Sequence, residues 1–407
     1  MINNLSRNEI KLEWITPAPL IPKKVVMLIP QFNELSQFNI LKRLRYFQEL
    51  ADTLTQDIDI VIIDDGSTDG SLAQIKKFVQ NEECNFYVVA VYPNTNKVGA
   101  LYLTALQVHH SLIILSDFDT DFYGHENLSL ELDVIYQNEK YMGGYFRMLP
   151  FEGMGKTFLF QQIEYSLARS MYKFHQSDQS VPVMPGAGSC YRRDILISIF
   201  EQHSGLRSGE DRESTLIGLK LGYETKYIKN VLTLTRPPLT LRKLIKQRVR
   251  WNLGYIETFA KEKKYYLQQV KKLTNIGKRS LYDLMVVIFV MFLPIIALTI
   301  TISNPVFIIA FGGLLYLSYI IWCVGLIMLA PSESKEFLKS RALSVLIYPV
   351  YKIILDYTSW SGALWQFYKK NKSKNGYYNS FVLKELKADI YMPPRTIREP
   401  LLFTKIG

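Results

Sequence analysis

The chain has 407 residues, 48% of them hydrophobic, and its 48 Lys and Arg against 37 Asp and Glu give a formal charge of +11. Apolar content this high can bury a core, which excludes a disordered chain, and the length suggests two or three structural units. Only Cys84, Cys190 and Cys323 occur, far apart, which excludes a disulfide-rich secreted scaffold.

The first twenty residues hold no apolar run of signal-peptide or span length, so any membrane anchoring is expected to be C-terminal. Residues 25–230 then read as strands alternating with helices. Apolar strands fall at Val25–Ile29, Ile58–Ile63, Phe86–Val91 and Leu112–Leu115, with helical patterns around 36–54, 70–80, 98–109 and 128–138. That alternation predicts an α/β fold with a mostly parallel sheet covered on both faces, and ligands in such folds meet the carboxyl ends of the strands.

The residues after each strand therefore matter most. Pro30-Gln31-Phe32-Asn33-Glu34 follows the first, Asp64-Asp65-Gly66-Ser67 the second, and Ser116-Asp117-Phe118-Asp119-Thr120-Asp121 the fourth. No glycine-rich phosphate loop follows the first strand, which argues against a dinucleotide or Walker site. Carboxylates gathered on one sheet edge repel unless a cation joins them. Mg²⁺ or Mn²⁺, which takes one or two carboxylates plus substrate phosphates, suits Asp117 and Asp119; no His/Cys cluster has zinc spacing. Taken singly, Asp-Asp-Gly-Ser is also an ordinary turn with a helix cap.

Further on, Pro185-Gly186-Ala187-Gly188-Ser189-Cys190 is a run of small residues where backbone can approach a ligand, or simply a connection to the next helix. Gly209-Glu210-Asp211-Arg212-Glu213 reads either as a source of a general base or as an acidic first helical turn favoured by the dipole. In Gln247-Arg248-Val249-Arg250-Trp251, helical spacing puts Gln247, Arg250 and Trp251 on one face. A guanidinium suits a diphosphate, and an indole offers a sugar ring a flat apolar surface. The same helix carries Leu241, Leu244, Ile245, Val249, Tyr255, Ile256 and Phe259 on an apolar arc, which predicts a helix at a membrane interface.

No charged residue occurs from Leu284 to Ser332. A bilayer core of about 30 Å needs about 20 helical residues, so two spans are predicted near 281–303 and 305–330 with a turn at Ser303-Asn304-Pro305. Basic residues flank both ends, from Lys261 to Arg279 and from Lys335 to Arg341, which places both ends in the cytoplasm. Residues 342–368 are apolar but interrupted by Pro349, Lys352 and Asp356. An in-plane or re-entrant helix is expected there, with a third full span as the alternative and with Lys352 and Asp356 paired four residues apart.

Taken together in this order, the motifs resemble the inverting nucleotide-sugar glycosyltransferases of the A-type fold in the large family-two group. The membrane-bound branch of that group, which the following hairpin also fits, includes cellulose, chitin and hyaluronan synthases and ceramide glucosyltransferases. The resemblance covers about residues 24–260. It implies that Pro30, Phe32, Asn33 and Glu34 border the nucleotide and that Asp64 and Asp65 recognise its uracil and ribose. Lys97, in Lys97-Val98-Gly99-Ala100-Leu101, and Asp117 would also lie close to the donor. Asp117-Phe118-Asp119 is similar to the family's D-x-D, implying metal ligands Asp119 and Asp117, although Asp121 creates a second register. Gly188, Ser189 and Cys190 would border the acceptor. Asp211 would be the base, with Glu210 second, and Gln247-Arg248-Val249-Arg250-Trp251 is similar to the Q-x-x-R-W motif. In that motif Gln247 and Arg250 would steady the leaving diphosphate, and Trp251 would shape the acceptor end. The branch's late gating motif has only a poor counterpart at Asn375-Gly376-Tyr377-Tyr378-Asn379.

The expected organisation is a cytoplasmic catalytic domain over 1–235, amphipathic interface helices over 236–280, a membrane region over 281–368 and a basic tail over 369–407. The expected activity is transfer of a UDP-activated sugar to a glycan acceptor with a β-linkage and Mg²⁺ or Mn²⁺, as in polysaccharide synthesis at the cell membrane. Single transfer to a lipid is the alternative, and a non-catalytic nucleotide-sugar-binding subunit a lower one. Expected partners are membrane lipids and a second copy or a further membrane subunit. Nucleic acid is not expected, because the basic residues cluster beside the membrane segments.

Overall fold

A computed structural model describes residues 10–19, 21–54, 57–177, 179–205, 208–303, 305–372 and 383–393. It divides into two compact units, one of residues up to His110 together with those from Leu386, the other from Ser111 to Glu385.

In the first unit, strands β1 (Lys11–Trp14), β2 (Val25–Gln31), β3 (Ile58–Asp64) and β4 (Tyr87–Tyr92) alternate with helices α1 (Ile40–Thr53), α2 (Ser71–Asn81) and α3 (Asn96–Gln107). β2, β3 and β4 run parallel, as strands joined by helical crossovers must, and β1 pairs antiparallel with β4. Every residue of β2 and β3 is buried, which is why both read as unbroken apolar runs. The side chain of Asn39 caps α1 by accepting from the Lys42 N–H at 3.0 Å.

The second unit contains strands β5 (Leu112–Leu115), β6 (Thr120–Tyr123), β7 (Tyr141–Pro150), β8 (Ser189–Arg192) and β9 (Glu224–Thr235) in the order β5-β8-β7-β9-β6. Their helices begin with α4 (Leu128–Gln137), α5 (Lys156–Ser166), α6 (Arg169–Ser177), α7 (Arg193–Gln202) and α8 (Glu210–Lys220). After β9 come α9 (Leu241–Lys261), α10 (Lys263–Lys271), α11 (Asn275–Ser303), α12 (Pro305–Leu329), α13 (Ser332–Ser340) and α14 (Ala342–Lys372). A last strand, β10 (Asp389–Tyr391), pairs parallel with β1 of the first unit. The pairing in this unit is mostly antiparallel. β5–β8, β8–β7 and β9–β6 are antiparallel and only β7–β9 is parallel, so the fold is a mixed sheet flanked by helices.

α11 and α12 cover the two predicted spans. Asn275–Ile300 and Val306–Leu329 are long and apolar enough to cross a membrane, and Asn304 of the expected turn lies outside the described residues. Large apolar side chains such as Met285, Phe292, Leu298, Val306, Leu314 and Met328 face outward along them, which a core helix of a soluble protein would not show. The end of α12 returns to the second unit, with Cys323 and Leu326 packing on Ile163 and Leu167 near the end of α5 and on Tyr348 of α14.

α14 runs on through Pro349 as one helix. It lies against α9: Asn252 donates to Ser359 Oγ at 3.0 Å, and Val249 and Leu253 pack on Ala363 and Phe367. The apolar arc of α9 that was expected to face the bilayer is thus covered by protein, and Leu241 is left outside it, exposed. The outward apolar face belongs to α14, where Leu343, Ile347, Val350, Ile354 and Trp365 are exposed. Lys352 and Asp356 pair at 2.5 Å, as their spacing predicted. Lys352 also lies 3.8 Å from Glu164 of α5, which bonds Arg248 of α9 at 2.8 Å. The stretch 375–379 and most of the basic tail lie outside the described residues.

Glu257 of α9 is fully buried, 3.5 Å from Lys370, and its Oε2 has no hydrogen-bond partner among the described residues. Burial pushes its carboxyl up to about 7, with Lys370 opposing and the Glu213 charge adding to the rise. A carboxyl raised in the fold holds its proton where the unfolded chain has lost it. Stability therefore falls as pH rises from about 4.5 to about 7, by up to about 3 kcal/mol. Glu257→Gln should remove this slope and leave the protein more stable than the parent at pH 8 but not at pH 4.5. Denaturation at the two pH values checks it, and equal gains at both would contradict the burial argument.

Candidate functional site

The first unit builds a cradle at the ends of β2 and β3. Pro30 is buried within β2, Phe32 is exposed, and Asn33 and Glu34 are half-exposed in the turn that follows. Asn33 Oδ1 accepts from the Thr68 N–H at 2.8 Å while its own N–H donates to Ser67 Oγ at 3.0 Å, so this turn and the Asp64–Ser67 turn form one piece. Asp64 is buried, accepts from Gln31 Nε2 and from the Ser67 N–H at 3.0 Å, and has its pKa raised by burial. Asp65 is buried as well. Its Oδ1 accepts from Thr95 N–H at 2.7 Å and Thr95 Oγ1 at 3.0 Å, and its Oδ2 from Asn94 Nδ2 at 2.8 Å.

Both carboxylates therefore point inward and tie together the turns that surround them. Gly66, at φ +70°, fits because a Cβ there would lie 2.7 Å from the Asn94 backbone N. Lys97, half-buried, sits in the first turn of α3 beside this junction.

In the second unit, Asp117 and Asp119 are half-exposed while Ser116, Phe118 and Thr120 between and around them are buried. The segment is a turn rather than an extended strand, closed by the Thr120 N–H donating to the Asp117 carbonyl at 3.1 Å. Asp121 is held by the forked guanidinium of Arg236 at 3.0 and 2.8 Å. The same Arg236 donates to the Asp119 carbonyl at 2.9 Å and to Glu152 at 2.7 Å. This arginine lies just past β9 in a proline-flanked segment, and nothing local in the sequence announced its role.

The glycine-rich loop meets that turn directly. The Gly188 N–H donates to the Leu115 carbonyl at 2.9 Å, two residues before Asp117. Gly188 has φ +117°, and a Cβ on it would lie 2.6 Å from Thr233. Ser189 and Cys190 follow as part of β8 with their side chains inside the sheet, and burial pushes the Cys190 thiol well up. Of the three residues expected at the acceptor, Gly188 is buried too, and its carbonyl accepts from the Phe146 N–H at 3.0 Å.

The loop is joined in turn to α8, because the Met184 N–H donates to Thr215 Oγ1 at 2.8 Å and that hydroxyl donates to the Asp211 carbonyl at 2.8 Å. Glu210 and Asp211 open α8 half-exposed, following Gly209 in the left-handed conformation at φ +71°. Gly209 packs backbone against Gly254 of α9, where a Cβ on Gly254 would come within 2.6 Å of the Gly209 N. Gly254 is one turn from Arg250 and Trp251, so the Asp211 turn and the Gln247–Trp251 helix are fixed on one another. Arg212 also lies over the Tyr255 ring at 4.7 Å.

On that helix Gln247 is half-buried, Arg250 exposed, and Trp251 41% exposed. Arg248, which the sequence reading passed over, is the buried arginine: it lies 4.1 Å from the Trp251 ring centre and bonds Glu164. Its signal was its position four residues after Leu244, on the buried face. Among the described residues no group of three or more His, Cys, Asp or Glu could hold a metal by itself. A turn with two half-exposed carboxylates, Asp117 and Asp119, fits a hard cation that takes its remaining ligands from phosphate and water.

The chain is similar to known glycosyltransferases in sequence and in fold. Residues 27–200 match the model of glycosyl transferase family 2 and residues 136–331 that of glycosyl transferase family group 2. The chain is 27% identical over 248 residues to an N-acetylglucosaminyltransferase of Rhizobium meliloti, covering 56% of this chain and 54% of that one. It is 29% identical over 255 residues to one of Azorhizobium caulinodans, covering 57% and 59%. The chain thus spans little more than half the length of these curated relatives. A mannosyltransferase from Pyrobaculum calidifontis, solved with GDP-Man and Mn²⁺, shares the fold at a TM-score of 0.50 and 14% identity over 88% of this chain and 91% of that one. The chain is thus similar to glycosyl transferase family 2 over residues 27–200 and has an A-type glycosyltransferase fold.

Proposed function

We propose that this chain is a membrane-attached inverting glycosyltransferase that takes a UDP-activated sugar and extends a glycan acceptor through a β-linkage. The observation that carries this reading is the Gly209–Gly254 contact, which fixes Asp211 at the head of α8 against the helix presenting Gln247, Arg250 and Trp251. Asp211 takes the proton of the acceptor hydroxyl as its oxygen bonds to the anomeric carbon, and the bond from that carbon to the diphosphate breaks with inversion. Arg250 and Gln247 meet the charge that grows on the leaving UDP, and Trp251 gives the acceptor sugar a flat surface. Glu210, beside Asp211, would serve as its second.

Asp119 with Asp117 would hold Mg²⁺ or Mn²⁺, which supplies positive charge to the donor diphosphate. The Asp121–Arg236 fork favours this register over the overlapping Asp119–Asp121 one. The Pro30–Glu34 turn and Lys97 border the nucleotide, whereas Asp64 and Asp65 shape that border from inside. The names of the curated relatives favour N-acetylglucosamine as the transferred sugar. Outward apolar faces on α11, α12 and α14 support membrane attachment and keep single transfer to a lipid as the second reading.

Asp211→Asn should lower turnover by about 10²- to 10⁴-fold while donor binding, measured by calorimetry, stays within about twofold. Turnover at the parental rate would remove Asp211 from the role of base. Asp119→Ala should abolish the part of UDP binding that depends on Mn²⁺. Titrations with and without the metal check this, and an unchanged metal-dependent component would show that the cation sits elsewhere.

A further inference from the structure

His203 ends α7 and is completely buried, and its two ring nitrogens do different things. The Gly205 N–H donates to Nδ1 at 3.0 Å, so Nδ1 carries no proton. Nε2 lies 3.1 Å from the carbonyl oxygen of Glu210, which can only accept, so the proton is on Nε2. The two nitrogens are thus told apart by their partners.

The carbonyl it grips belongs to the peptide that joins Glu210 to Asp211. That peptide is a rigid plane, so fixing its oxygen fixes the direction of the Asp211 N–H and the place of its Cα. A carbonyl has two lone pairs, and the imidazole therefore restrains the peptide without displacing the helical bonding of the first turn of α8.

Glu213, one turn along α8, lies on the same Nε2 side of the ring. Its carboxylate accepts from the Ser204 N–H at 3.1 Å, from Ser204 Oγ at 2.7 Å and from Lys261 Nζ, and it lies 3.5 Å from His203 Nε2. Both side chains are sealed from solvent, and Lys261 sits at the end of α9. Glu213 thus ties the His203–Gly205 turn to α8 and α9 together.

We propose that His203 is a positioning residue for the transfer reaction: its Nε2–H holds the Glu210 carbonyl and so aims the Asp211 carboxylate, with Glu213 holding the ring in place. This rests on the reading of Asp211 as the base. The chemistry itself never reaches the imidazole, which neither gives up nor takes a proton during turnover.

The test is UDP release from UDP-N-acetylglucosamine by the full chain in detergent, with folding checked by near-UV circular dichroism. His203→Gln keeps an N–H that reaches the Glu210 carbonyl, whereas His203→Asn keeps only an acceptor near Nδ1. A positioning role predicts that His203→Asn lowers kcat about tenfold or more with KM for the donor unchanged within about twofold. It also predicts that His203→Gln recovers most of that loss, and that His203→Asn adds nothing in an Asp211→Asn background. The proposal is overturned if both folded variants keep the parental kcat, or if both lose activity only in proportion to the folded fraction. Should His203→Asn not fold, Ser204→Ala decides, since it loosens Glu213 at a half-buried position. A drop of about threefold in kcat at constant KM supports the proposal, and full kcat overturns it. Should Asp211→Asn turn over normally, the reading of the base fails, whatever the His203 variants do.

Discussion

The contact between Gly209 and Gly254 is the constraint on which the second unit depends. Two helices can bring backbone to backbone only where neither carries a Cβ, and the left-handed turn at Gly209 requires glycine a second time. That close approach sets the start of α8 against the middle of α9. The charged groups around it, Glu213 with Lys261 and Arg248 with Glu164, then fix the remaining freedom of both helices. Carboxylates and cations this deeply placed add little net stability, but removing one partner leaves the other uncompensated. They make one arrangement of the helices much better than its neighbours.

α14 extends the same logic toward the membrane. It covers the apolar side of α9, contributes Lys352 to the Glu164–Arg248 pair, and turns its own apolar side outward. The helix that carries Trp251 is thus held from behind by a helix whose other face is apolar and exposed.

How much of this the sequence disclosed follows from the range of each interaction. β2 and β3 were legible because burial on both faces leaves a continuous apolar run, and α11 and α12 because uncharged length is itself the signal. β7 was not, because its Gly143-Gly144 pair weakens any strand pattern. The need for Gly143 comes from Cys190, whose carbonyl oxygen would lie 1.9 Å from a Cβ there. The acidic motifs could be found but not oriented. Little local distinguishes Asp64 and Asp65, which face inward, from Asp117 and Asp119, which stay half-exposed, since Gln31, Asn94 and Thr95, which bond the first pair, lie about 30 residues away in the chain. Likewise Arg248 and Arg250 look alike in the sequence, and the buried one is identified only once Glu164 is brought beside it.

Arg236 has a bearing on the catalytic cycle. Its guanidinium bonds the Asp119 carbonyl, the Asp121 carboxylate and Glu152 at once, so the turn is closed and partly neutralised by the chain's own cation. The shape of the turn is thereby uncoupled from ion occupancy. On the proposed reading, a divalent ion held by Asp117 and Asp119 would have no folding work to do there.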